Sequence, residues 1–324
     1  MEAVVRTDIM DWKDFVNEFD SYRKSDRFIF RGQSNEVVLM NGEKDPKGRI
    51  ITTKLKEWEL ISSFNRFYQG PNKYRFITFL SQQLQDDLFR AKYGHYMFVE
   101  KFGIDKWSRI DKIMFLQYYG CPTCFIDFTF NPLIALYFAI ASMRGSSGTT
   151  YDNEGNIFNY SDDCFLSIYQ IDCKILCEVL GIKQIDFGND FSLNYRNYEI
   201  LLNENSSQAA VISLLLTPNA NKENYNLKKQ DGCFLIYDNH DFNFKGRGFE
   251  RFLSEYTQRR NISLSEPIIK IFRIAYNSVF ANRHHGEFKK EGLFGFLAKK
   301  NISGAYLFND LQGLKYDFNF FHDN

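Results

Sequence analysis

Two short apolar segments of this chain each end in side chains that could do chemistry. Residues 28–30 are Phe, Ile and Phe, and they are followed by Arg31 and Gly32. Residues 124–126 lead in the same way to Asp127. A buried strand that stops at polar groups just before a helix is a common place for ligand-facing atoms. We therefore expect both segments to be strands whose ends contribute to one shared site.

The candidate site residues share a position at the predicted end of a strand or helix. For ligand binding they are Arg31, Gly32, Gln117, Thr129 and Asn131, and for catalysis they are Asp127 and Gln230. A guanidinium can bind an anion through two parallel hydrogen bonds, and a carboxylate can stabilise positive charge in a transition state.

Each assignment has a structural alternative that the sequence leaves open. Arg31 could pair with Asp127 as a structural bridge, because a half-buried arginine is normally paired. Asp127 could instead cap the helix that begins after Asn131 through backbone N–H groups. Gln230 could be a polar residue that simply leads into a strand.

The cysteines and histidines predict no metal centre. Cys121 and Cys124 form a lone C-x-x-C without a second pair, so reduced and mostly buried thiols are the simpler interpretation. The adjacent residues His284 and His285 would point two ways on a helix, which makes a poor chelate.

Composition indicates a globular chain without a bulk charge preference. The 324 residues are 44% hydrophobic and 17% aromatic, and 40 basic residues balance 40 acidic ones, so neither nucleic acid nor an anionic membrane is indicated as a partner. The N-terminus has no readable signal peptide, and the longest apolar run, 132–143, is too short to span a bilayer. We expect a cytoplasmic protein; its oligomeric state is left open.

Patterning predicts one α+β domain over residues 1–324, with helices in the N-terminal half around a mixed or antiparallel central sheet. The predicted helices cover 10–22, 52–68, 76–93, 104–119, 131–143 and 283–299, with a short one near Leu311. The predicted strands cover 27–31, 124–127, 165–171, 210–216, 232–237 and 267–273. Residues 36–50 are a predicted loop, and residues 144–163 are predicted to be a mobile loop or the tip of a hairpin. In the helix that follows Pro132, Ala135 and Phe138 lie three apart, which predicts a core-facing stripe.

Four segments together resemble the bacterial FRG domain family. The Phe-Arg-Gly triplet is residues 30–32, and residues 116–139 resemble the pattern L-Q-H-Y-G-x-P-T-R-x-x-D-W-T-S-N-P-L-x-A-L-Y-F-A. Residues 230–234 are similar to Q-x-G-x-F, and residues 304–314 to a terminal L-F-P-D-L-x-G-L. The motif region thus covers 27–315. The chain departs from the long pattern at Tyr118, Cys124, Phe128 and Phe130, and three of these changes remove polar chemistry.

The order of the motifs also resembles that of ADP-ribosyltransferases. Those enzymes have a strand ending in Arg-Gly or His-Gly, a later strand ending Ser-Thr-Ser before a helix, and then a strand with Gln-x-Glu or Glu-x-Glu. This resemblance implies NAD as cofactor, a nucleotide or a protein target as partner, and a role in bacterial defence or as a toxin. The expected catalytic Glu is replaced by Gly232, so Asp127 or Asp231 would have to supply a carboxylate. The alternative is a cytosolic module that binds a ligand or a protein without turnover.

Overall fold

The computed structural model describes residues 1–19, 21–22, 27–33, 36–39, 53–56, 59–67, 117, 122–123, 125–147, 165–181, 210–215, 229–239, 248–280 and 292–308. Seven of its strands form one sheet in the order β1-β9-β6-β2-β5-β8-β7. These strands are β1 (Val4–Met10), β2 (Phe28–Gln33), β5 (Phe125–Thr129), β6 (Phe165–Asp172), β7 (Ala210–Leu215), β8 (Gly232–Asn239) and β9 (Ile269–Ala275). The β1–β9 pair is parallel and the other pairs are antiparallel. The predicted α+β class with a mixed central sheet is confirmed.

Helices occupy both faces of this sheet. They are α1 (Trp12–Glu18), α2 (Ser63–Phe67), α3 (Pro132–Ser147), α4 (Cys173–Leu180), α5 (Phe249–Arg259), α6 (Tyr276–Phe280), α7 (Leu293–Lys299) and α8 (Gly304–Phe308). No helix in the described ranges is long and apolar enough to cross a membrane.

The alternation of side chains along the strands creates two hydrophobic layers, because successive residues of a strand point to opposite faces. In β6, Leu166 and Ile168 belong to the first layer, which includes residues of α1, α3 and α7. Tyr169 and Ile171 belong to the second layer, which includes residues of α4 and α5. Strand β6 is therefore buried on both faces, as a strand inside a sheet that is covered on two sides requires.

Close contact between α3 and β2 depends on one glycine. A Cβ added to Gly32 would lie 1.7 Å from the carbonyl oxygen of Ala135 and 2.7 Å from the backbone nitrogen of Ala139. Only a residue without a side chain fits this approach. Ala135 is fully buried as predicted, whereas Phe138 is only partly buried and packs on the flank of α3 against Tyr137 and Phe308.

The predicted helix over 52–68 is wrong in its first half. Residues Thr53–Lys56 form β4, which pairs with β3 (Glu36–Leu39) in a separate two-stranded sheet, and the helix is confined to α2. In the register of this pair, Glu36 lies opposite Lys56 and Leu39 opposite Thr53. The same pairing shows that the predicted loop 36–50 begins as a strand.

Several other boundaries differ from the prediction or cannot be compared with it. Helix α3 continues to Ser147, so the first residues of the predicted loop 144–163 are helical, and 148–163 lie outside the described residues. The predicted helix 76–93 and most of 104–119 also lie outside them, as do Leu311 and residues 283–291. Strand β1 and helices α4 and α5 are additional to the predicted elements.

Candidate functional site

Arg31 and Asp127 meet where strands β2 and β5 separate. The ladder between these strands contains one pair, Phe30 with Thr129. Beyond that pair, Arg31 Nη1 donates to the carbonyl oxygen of Asp127 at 2.7 Å and lies 3.8 Å from its carboxylate oxygen Oδ2. The predicted approach of the two side chains is confirmed. The guanidinium bonds a β5 carbonyl at a point where β2 forms no ladder pair with β5.

The guanidinium of Arg31 retains donors for a further partner. Its Nε donates to Gln33 Oε1 at 3.2 Å, and within the described residues no acceptor is bonded to its Nη2 group. The side chain is 23% exposed. Burial lowers the pKa of Arg31, the negative charge of Asp127 opposes that change, and the nearby positive charge of Arg66 adds to it. An anion placed against this guanidinium would therefore be favoured by two neighbouring arginines.

The carboxylate of Asp127 is exposed to solvent and is oriented by hydrogen bonds from Gln117. The carboxylate is 58% exposed. Gln117 Nε2 donates to both of its oxygens, at 3.2 and 3.1 Å, and Thr123 Oγ1 in turn donates to Gln117 Oε1. The Thr123 hydroxyl also accepts from the backbone N–H of Phe125 at 3.1 Å. Gln117 and Thr123 thus orient the Asp127 side chain from the beginning of β5.

Helix α2 is attached to the same corner. Ser63 Oγ accepts from Thr123 N at 3.0 Å and donates to Thr123 O at 3.2 Å, and Phe64 N donates to the same carbonyl at 2.9 Å. These bonds carry Arg66 into the electrostatic neighbourhood of Arg31, although the two are 35 residues apart in sequence. Burial lowers the pKa of Arg66 as well.

Asp127 does not cap the helix that follows it, so that alternative is wrong. The cap of α3 is Asn131, whose Oδ1 accepts from Leu133 N at 3.0 Å and from Ile134 N at 3.4 Å. Pro132 is the first residue of α3, so Asn131 occupies the N-cap position, where asparagine is a favoured residue. The carboxylate of Asp127 lies four residues earlier, in the middle of β5.

Thr129 and Gln230 form a second cluster at the other end of β5. Thr129 is buried. Its hydroxyl donates to Gln230 O at 2.7 Å, and the same hydroxyl accepts from Asn131 N at 3.1 Å. Gln230 Nε2 donates to Leu307 O at 3.3 Å. No hydrogen bond within the described part of the chain joins Gln230 to Arg31 or Asp127. The structure therefore brings Arg31, Gln117 and Asp127 together, while Thr129, Asn131 and Gln230 organise the turn into α3.

Sequence reasoning misses Gln33, Ser63, Thr123 and Arg66 as neighbours of the site. Gln33 and Thr123 could have been found from the sequence, because Gln33 directly follows the Phe-Arg-Gly triplet and Thr123 lies inside the long motif. Ser63 and Arg66 could not, since only the fold brings α2 to β5.

Among the described residues, no group of three or more His, Cys, Asp or Glu side chains could hold a metal ion. Cys121, Cys124, His284 and His285 lie outside the described residues. Gly232, at the position of the expected catalytic Glu, pairs in register with Thr129.

Comparison with known families supports the resemblance to the FRG domain family. The family model described as FRG domain matches residues 52–147, a segment that begins just before β4 and ends with α3. This segment belongs to the FRG domain family. It contains Gln117, Asp127, Thr129 and Asn131, whereas Arg31 and Gln230 lie outside it. No curated protein and no solved structure matches the chain.

Proposed function

We propose that the chain binds NAD or a related adenine nucleotide at the Arg31–Asp127 site, with Arg31 on a phosphate. The observation that carries the proposal is the guanidinium of Arg31, whose Nη1 is bonded to a carbonyl of β5 and whose Nη2 has no acceptor among the described residues. A phosphate oxygen can accept a charge-assisted hydrogen bond from such a group. Gln117 and Asp127 would then face the sugar or base of the same ligand.

The site favours binding over turnover. Gly232 has no carboxylate to offer where ADP-ribosyltransferases carry their catalytic Glu. A second candidate function, slow ADP-ribosyl transfer or NAD cleavage, is favoured by the exposed and oriented carboxylate of Asp127. The proposal includes a cytoplasmic location, which agrees with the scattered cysteines. It also includes a role in bacterial defence or toxin systems, in which the target of a transferase would be a protein, and this role rests on the resemblance alone.

Thermal unfolding in the presence of ligand tests the binding proposal. A ligand that binds only the native state raises its stability, so NAD or ADP-ribose at about 100 times its Kd should raise Tm by roughly 2–6 °C. Arg31→Ala should abolish the shift. Arg251→Ala is the matched control, because Arg251 is an exposed arginine of α5 whose ion pair is with Glu255 of the same helix.

The same preparation separates the two candidate functions. Release of nicotinamide that is lost in Asp127→Asn, while the thermal shift remains, would establish catalysis. A thermal shift without release of nicotinamide supports binding alone. Absence of a shift with every nicotinamide or adenine dinucleotide would contradict the NAD proposal and leave a protein-binding module.

A further inference from the structure

Asp127 contributes the one exposed side chain of β5. The other residues of the strand are buried: Phe125, Ile126, Phe128 and Thr129. The exposed carboxylate nevertheless receives two hydrogen bonds from a single amide group, that of Gln117. It is thus both accessible to a ligand and held in one orientation.

A chain of hydrogen bonds determines which atoms of Gln117 face this carboxylate. The Thr123 hydroxyl accepts from Phe125 N at 3.1 Å, so its own proton is available for Gln117 Oε1. With its oxygen bonded to Thr123, the Gln117 amide directs its Nε2 donors to both oxygens of Asp127. Thr123 thereby fixes Gln117 as the donor and leaves the carboxylate as the acceptor.

The carboxylate of Asp127 retains acceptor positions for a ligand. Each oxygen of an ionised carboxylate has two lone pairs, and Gln117 uses one on each oxygen. Arg31 Nη1 lies 3.8 Å from Oδ2, which is within ion-pair distance but too long for a hydrogen bond. Two acceptor positions, one on each oxygen, are therefore left for a ligand, and the groups that fill them must be hydrogen-bond donors.

These acceptor positions adjoin a positively charged donor. Among the described residues, no acceptor is bonded to Arg31 Nη2. A complementary ligand therefore carries an anionic oxygen for the guanidinium and, close to it, hydroxyl groups for the carboxylate. A nucleoside 5′-phosphate has both, because its 2′- and 3′-hydroxyls lie on adjacent carbons of the sugar that bears the phosphate. Two cis hydroxyls match the two oxygens of one carboxylate.

On the basis of the nucleotide binding proposed above, we propose that Asp127 selects ribonucleotides. Its carboxylate accepts hydrogen bonds from the 2′- and 3′-hydroxyls of the adenosine ribose, whose 5′-phosphate binds Arg31. A 2′-deoxyribonucleotide would leave one carboxylate oxygen without its donor. A 2′-phosphate would bring a further negative charge against the carboxylate, so the site should also prefer NAD to NADP.

Titration calorimetry with ADP and 2′-deoxy-ADP, which differ by one hydroxyl, tests this assignment. We expect the wild-type protein to bind ADP about tenfold or more tightly, since a hydrogen bond to a charged group contributes about that factor. Asp127→Ala should bind the two nucleotides with nearly equal affinity. Arg31 Nη1 donates to the backbone carbonyl of residue 127, so this substitution leaves that bond in place.

Two further variants complete the comparison. Asp8→Ala is the matched control, because Asp8 is an exposed aspartate of another strand, β1, and this variant should retain the full preference for ADP. Asp127→Asn keeps the shape of the side chain, but its amide nitrogen cannot accept a hydrogen bond, so the preference for ADP should fall in this variant as well.

The outcomes separate this assignment from the nucleotide proposal on which it rests. Binding of ADP that is lost in Arg31→Ala, together with equal affinity of the wild type for 2′-deoxy-ADP, would overturn the ribose assignment and leave the nucleotide proposal intact. A preference for ADP that persists unchanged in folded Asp127→Ala or Asp127→Asn would overturn the role of Asp127. Absence of binding of either nucleotide to the wild-type protein would overturn both proposals.

Discussion

Phe30 is fully buried beneath the rings of Phe19 and Tyr22, Arg31 reaches across to β5, and Gly32 lies directly under the backbone of α3. Three consecutive residues thus serve three different physical requirements: core packing, bonding across the gap between two strands, and close approach of a helix. The triplet is a structural unit as well as part of the candidate site.

At Gly32, substitution by alanine should destabilise the protein by about 3 kcal/mol or more, because the new Cβ would overlap the Ala135 carbonyl and α3 would have to move. Gly181→Ala is the matched control. Gly181 has φ 66° and nothing within 4 Å of the added Cβ, so we expect a cost of only about 1–2 kcal/mol from backbone strain. Urea denaturation measures both changes. Similar costs at the two positions would show that α3 does not pack closely on β2.

At Asn131, removal of the cap should cost about 0.5–2 kcal/mol in Asn131→Ala, since two N–H groups of α3 would lose their acceptor. Asn131→Asp retains an oxygen at the same place and should preserve most of the stability. Denaturation midpoints of the two variants decide the matter, and a loss of equal size in both would contradict a capping role.

Helix α3 connects the two clusters of polar residues, because it follows β5 and packs on β2. Its sequence is apolar over most of its length, and Leu136 and Tyr137 are almost completely buried. The spacing places Phe138 on the buried stripe with Ala135, yet α3 packs on β2 through its alanines and displaces the phenylalanine to the flank.

Within α3, Leu136→Ala should therefore cost about 2–5 kcal/mol through a cavity in the first layer. Phe138→Ala should cost less than Leu136→Ala, although the residue removed is larger, because its ring is partly exposed. Equilibrium unfolding of the two variants tests the order. A greater loss for Phe138→Ala would show that the helix is rotated about its axis so that Phe138, not Leu136, faces the core.

The local sequence predicts the structure correctly where an apolar periodic segment leads to polar residues. It predicts the structure wrongly where a segment becomes a strand only by pairing with another strand. Arg31 and Asp127 each end a predicted strand, which predicts that the two strands converge there, and the two residues do meet. Both observed strands continue two residues further, so the polar residues lie inside β2 and β5 and not at their ends. The residue pattern predicts a helix where β4 is found. Strand β4 is stabilised by pairing with β3, which lies in a turn-rich segment, and neither segment's own sequence indicates that the two pair. Strand β1 is an edge strand with exposed polar residues such as Arg6 and Asp8, so it lacks the apolar run that indicates the other strands.

On the scale of the whole molecule, the candidate Arg31–Asp127 site lies at the opening between β2 and β5. The central claim is that Arg31 binds a phosphate of the nucleotide. Affinity should then depend on phosphate groups in the wild-type protein and not in a variant without the guanidinium.

The most direct test compares the dissociation constants of ADP-ribose and adenosine for the wild-type protein, Arg31→Ala and Arg251→Ala. We predict that the wild type and Arg251→Ala bind ADP-ribose about tenfold or more tightly than adenosine, since the loss of one charge-assisted contact accounts for a factor of that size. In folded Arg31→Ala the two ligands should bind with nearly equal affinity. A preference for ADP-ribose that persists in Arg31→Ala would contradict the assignment of Arg31 to the phosphate.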